Sequence, residues 1–128
     1  MRSAGLPVVG MEDLGQPVSH LALRDGVPVY DRDGDEIGVV DRVMSDEATG
    51  IFEGVIIHTR PLIGAQHLFA SHDQIGELRE RGVRLTVPRA ELYELDEHAG
   101  RRRRDDGVPE APIERLLRKA WDWLVGAR

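Results

Sequence analysis

Apolar and polar residues alternate in short runs along most of this chain, and only the stretch from Pro112 onward follows a helical period. Strand signals begin at Val27. Val29 and Tyr30 lead into Asp31-Arg32-Asp33-Gly34-Asp35, a tight turn built from residues that tolerate positive φ, and a second strand follows from Glu36 to Met44. Ser45–Gly50 forms the next turn. Ile51–His58 is the strongest strand signal, and its Val55-Ile56-Ile57 core has no polar position, which predicts burial on both faces and a central place in the sheet. Thr59–Ala65 reads as a loop carrying Pro61 and Gly64, Gln66–Ala70 as a strand, and Ser71–Gln74 as a short connection. Ile75–Arg79 and Val83–Val87 bracket a hairpin turn at Glu80-Arg81-Gly82, with Val83, Leu85 and Val87 alternating against Arg84 and Thr86. Six short strands separated by turns predict a mainly β domain, a barrel or sandwich.

The ends read differently. Residues 1–25 hold Pro7, Pro17 and scattered Gly without a sustained period, which predicts an irregular arm with a short extended piece at Leu21–Leu23. From Asp96 to residue 111 the chain is charged and rich in Gly and Pro, a flexible linker by composition. From Pro112 to Gly126 an amphipathic helix is predicted, with Pro in its first turn and Glu114 near the positive end of its dipole. Ile113, Leu116, Leu117, Ala120, Trp121 and Leu124 fall on or beside one stripe. Arg115, Arg118, Lys119 and Asp122 lie on the other face. The expected organisation is therefore an arm (1–25), a β domain (26–95), a linker (96–111) and a helix (112–126).

The ordered series Val29-x-Asp31-x-x-Gly34-x-x-Ile37-Gly38-x-Val40, Asp46 and Gly50, Glu53-Gly54-Val55-Ile56-Ile57, then Gly64, Phe69 and Gly82-Val83-x-Leu85 resembles the PRC-barrel family. That family includes the barrel of the photosynthetic reaction-centre H subunit and that of a ribosome maturation factor. The resemblance spans about residues 26–95 and implies a six-stranded barrel that docks protein partners. It makes Asp31, Asp33, Gly34, Ile37, Gly38 and Gly54 fold-defining, and it brings no catalytic motif or cofactor. The arm and the helix lie outside the matched pattern.

Charge narrows the function classes. Residues 1–100 carry nine Arg against eighteen acids, a balance of −9, whereas residues 101–128 carry eight Lys or Arg against five acids, a balance of +3. An acidic body argues against gripping nucleic acid. The chain has no cysteine, so disulfides, iron–sulfur clusters and thiol catalysis are excluded. Leu6-Pro7-Val8-Val9 is too short and too broken by Pro for the apolar core of a secretion signal. The expected location is the cytoplasm, or the cytosolic face of a membrane.

Candidate chemistry is sparse. Asp31, Asp33 and Asp35 resemble a calcium loop, but counting from Asp31 the required sixth-position Gly sits fourth and the twelfth-position Glu is replaced by Arg42. Ser71-His72-Asp73 has the residue types of a hydrolytic triad, yet adjacent side chains in extended chain point apart. His20, His58, His67, His72 and His98 show no i,i+4 pair, so no metal site is expected, and a pH-sensitive contact through His58 or His67 is left open.

The functional expectation is a non-enzymatic adaptor without cofactor that binds a protein partner. The helix stripe Ile113, Leu116, Leu117, Ala120, Trp121 and Leu124 would serve self-association as a homodimer or partner capture. Packing of that stripe on the chain's own barrel is a further reading. In an alternative the helix lies on an anionic membrane, with Arg101, Arg102, Arg103, Arg104, Arg115, Arg118 and Lys119 facing the lipid. A third, RNA-processing role rests on the maturation factor alone.

Overall fold

A computed structural model describes residues 14–59, 66–96 and 112–126. Its β domain is one sheet of seven strands: β1 (Pro28–Tyr30), β2 (Glu36–Ser45), β3 (Phe52–Thr59), β4 (His67–Ser71), β5 (Ile75–Arg79), β6 (Gly82–Leu85) and β7 (Tyr93–Leu95). Among the described residues one α-helix, α1 (Pro112–Gly126), follows. The sheet order is β5-β6-β1-β2-β3-β4-β7, antiparallel except for the β1–β6 pair.

Connectivity forces this sheet to curl. β4 and β5 stand five places apart in the order, about 24 Å if the sheet were flat. Only the one-turn 3₁₀ segment His72–Gln74 joins them, and a chain of that length reaches no more than about 14 Å. The concave side is filled by Val29, Val40, Val55, Ile57, Leu68, Ala70, Val83 and Leu85, which form one buried cluster.

The six-stranded closed barrel is not what the hydrogen bonding describes. Among the described residues there are seven strands and no pairing joins β5 to β7, so the sheet is open. Tyr93–Leu95 pairs with β4 and is too short for an alternating pattern to announce it. The β5 edge is instead covered by the arm. Val18 N–H donates to the Leu78 carbonyl, Glu80 N–H to Gln16 and Arg81 N–H to Leu14, while the Arg79 guanidinium holds Gly15 O and Glu77. Such covering protects an edge that would otherwise template pairing with another chain. The predicted extended piece at Leu21–Leu23 is part of a turn closed by Ala22 N–H on Ser19 O, which drops Leu23 into the core.

The β1–β2 turn shows why its residues are what they are. Asp31 is buried, and its Oδ1 accepts from Asp33 N–H (2.8 Å) and Asp35 N–H (3.0 Å), while Gly34 takes φ 91°. The carboxylate that would head a calcium loop is thus a backbone cap. Asp33 is exposed, Ile37 is buried, and Gly38 stands opposite Val29 and Thr59.

Candidate functional site

The convex face of the sheet has two features that bear on function, and both follow from bulges in β2 and β3. Between Met44 and Ser45 the β2–β3 register slips, because Met44 faces Gly54 and Ser45 faces Phe52. Glu53 is the extra residue. The slip turns Phe52 toward the concave core and leaves Glu53 close to α1. Gly54 carries this irregularity at φ 154°, and a Cβ there would strike the Ala70 carbonyl and the Phe69 ring. β3 is central and buried on both faces as its sequence predicts, with Val55 and Ile57 inside and Ile56 outside.

α1 lies over Met44, Ile56, Phe69 and Leu95, burying Leu117, Ala120 and Leu124 against them. Ile113, Leu116, Trp121 and Trp123 are half-buried around that contact. The predicted stripe is therefore housed on the chain's own sheet, and the apolar face that insertion into lipid requires is covered. Lys119, expected to face an anionic surface, instead donates to Glu53 Oε1 (2.8 Å) and to the Ser45 carbonyl (3.0 Å). Arg115 is exposed and Arg118 half-buried. Arg101, Arg102, Arg103 and Arg104, with the rest of the expected linker beyond Asp96, lie outside the described residues.

Between α1 and β2 the surface sinks into a groove of about 310 Å³, lined by Arg42, Met44, Glu47, Lys119, Asp122 and Trp123 among others. The Arg42 guanidinium sits 5.0 Å above the Trp123 ring, a cation–π arrangement. Trp123 reads in the sequence as a shoulder of the helix stripe, but its meeting with Arg42 depends on how the helix crosses the sheet.

The second feature lies along β2, β3 and β4. His58 and His67 are directly opposed cross-strand partners, their rings edge to face with centroids 4.8 Å apart. A second slip makes Asp41 the extra residue between Val40↔Ile57 and Arg42↔Ile56, and its Oδ2 lies 3.3 Å from His67 Nε2. All three are half-buried. A further cavity of about 480 Å³ borders Asp25, Gly26, Val39, Val40, Asp41 and His58.

The Ser71-His72-Asp73 segment is a turn cap. Ser71 Oγ donates directly to Asp73 Oδ1, Ser71 N–H donates to Gln74 Oε1, and His72 is exposed. The Ser71 hydroxyl holds the Asp73 carboxyl below its ordinary pKa. With no imidazole between hydroxyl and carboxylate, the segment lacks the relay a hydrolytic triad uses.

Among the described residues no helix is long and apolar enough to cross a membrane. A protein-family model, the PRC-barrel domain, matches residues 25–92, and comparison with curated proteins gives no match.

Proposed function

This chain belongs to the PRC-barrel domain family, and we propose from that membership that it is a non-enzymatic docking module whose protein partner seats in the groove between α1 and β2. The family match is compatible with a protein-interaction role. The observation that carries the placement is the Arg42–Trp123 pair at the groove. Trp and Arg are the residue types that dominate interface energies when they line a pocket. Acidic Glu47 and Asp122 beside basic Arg42 and Lys119 give the groove both signs of charge, which suits a polar rim more than a lipid surface. In this reading α1 captures the partner with its shoulder, through Trp123, while its stripe stays on the sheet.

The test is site-specific photo-crosslinking in cells, with the photoreactive residue at Glu47 or Asp122 on the groove and, as control, at Arg81 on the β5–β6 turn. A discrete adduct from the groove positions, absent from the control and lost in Trp123→Ala, is the expected result. An adduct of twice the chain mass identifies the partner as a second copy. Equal labelling from Arg81, or adducts indifferent to Trp123→Ala, would overturn the placement.

A further inference from the structure

We propose that Asp41, His58 and His67 form a binding site for a single Zn²⁺-type divalent ion on the convex face of the sheet. No cysteine-based or i,i+4 histidine motif announces it, and the fold alone brings its members together. Each residue offers one ligand atom, and these atoms all lie within 4.8 Å of one another.

Three observations support the site. First, the donor set is chemically coherent: two imidazoles and one carboxylate suit borderline ions such as Zn²⁺, whereas Ca²⁺ and Mg²⁺ call for oxygen ligands. Second, the spacing is close to what coordination requires. Two ligands of one tetrahedral Zn²⁺, each about 2.0–2.1 Å from the metal, are about 3.3–3.4 Å apart. Asp41 Oδ2 and His67 Nε2 already stand at 3.3 Å. An ion placed between these two atoms would be held by both, and a rotation of the His58 ring would complete three ligands. Third, the site depends on a local departure from regular pairing. The extra residue at Asp41 brings its carboxylate into reach of His67, two strands away, and bulges commonly re-aim a side chain in this way.

Access is provided by the cavity that borders Asp41 and His58. Three protein ligands leave the fourth tetrahedral position for water. The ion would cross-link β2, β3 and β4 at the level where the β2–β3 register is irregular.

The test uses the full-length chain free of any affinity tag and stripped of metal with a chelator. Titration calorimetry with Zn²⁺, Ca²⁺ and Mg²⁺ should give one Zn²⁺ per chain, with no binding of the two hard ions. Replacing even a residue that only supports a metal ligand weakens affinity about 10–100-fold, so His58→Ala, His67→Ala and Asp41→Asn should each lose at least about tenfold. His72→Ala, an exposed histidine outside the cluster, should bind as the wild type does. Should the alanine variants fold poorly, Co²⁺ added to the wild-type chain provides an independent readout. An intense visible d–d band of a tetrahedral ion, removed by competing Zn²⁺, supports the site. Zn²⁺ binding that is absent, or that is unchanged in His58→Ala and His67→Ala, or a Co²⁺ spectrum no different from the hydrated ion, would reduce the trio to a close-packed His–Asp cluster and overturn the proposal.

Discussion

Lys119 Nζ lies 2.8 Å from Glu53 Oε1, so the only lysine of the chain points from α1 into the sheet, at a carboxylate whose side chain is 10% exposed. The pair fixes the rotation of the helix about its axis. Apolar contacts between Leu117, Ala120, Leu124 and the sheet are non-directional, whereas an ammonium that also donates to Ser45 O admits one register.

Lys119→Met should therefore destabilise the protein by removing the cation beside Glu53. Breaking a fully buried pair costs about 3–5 kcal/mol, and because Lys119 is 30% exposed the expected loss is about 1–3 kcal/mol. Adding Glu53→Gln to that variant should recover part of the loss, since the unpaired charge is then gone. Urea unfolding measures both. A Lys119→Met midpoint equal to the wild type would show that the contact contributes nothing.

Gly54→Val should be the most damaging single change in β3. A side chain there must displace the Phe69 ring and the Ala70 carbonyl of the neighbouring strand, at a φ of 154° that a β-branched residue rarely adopts. The expected cost is about 3 kcal/mol or more, as for other overpacked and strained sites. A variant melting within about a degree of wild type would contradict the close approach.

Much of this architecture is legible in the residues. The Val55-Ile56-Ile57 run announces a two-faced central strand, Asp31 and Gly34 announce their turn, and the stripe through Leu117 and Leu124 announces a helix with something to cover. What is not legible depends on register. His58 and His67 become cross-strand partners only once the β3–β4 pairing is set. Asp41 and Glu53 take part in their contacts through bulges, and a one-residue slip sends a side chain to the other face. Lys119 looks solvent-facing on a helical wheel because the wheel does not include Glu53. The open seven-strand order depends likewise on the three-residue β7, below the length at which alternation carries a signal.

Acid should weaken the turn at Asp46. The backbone N–H of Thr49, and then that of Ala48, hold the Asp46 carboxyl below its ordinary value of 3.8. A carboxyl depressed in the folded state adds stability that is complete above the unfolded value and disappears as pH falls through the folded one. The loss therefore belongs below about pH 4. Asp46→Asn should flatten the stability profile in that window. An NMR titration of the Asp46 carboxyl carbon should give a midpoint under 3.8, and a midpoint at or above it would show that the two N–H bonds do not persist in solution.

Leu117→Glu separates a helix that is part of the fold from one that only meets partners. Leu117 is 6% exposed and packs in a cluster with Met44, Ile56, Phe69 and Leu95. A carboxylate there has no cation of its own and would cost several kcal/mol, more than the helix contact can tolerate. The expected outcome is release of α1 from the sheet, a stability loss of about 3–5 kcal/mol, and new binding of a hydrophobic dye to the uncovered face. Val125→Glu, at a position 58% exposed on the same helix, should stay within about 0.5 kcal/mol of wild type. If Leu117→Glu instead keeps full stability and changes only the sedimenting mass, the stripe acts between chains, and the groove beside Trp123 cannot be the surface on which this domain receives its partner.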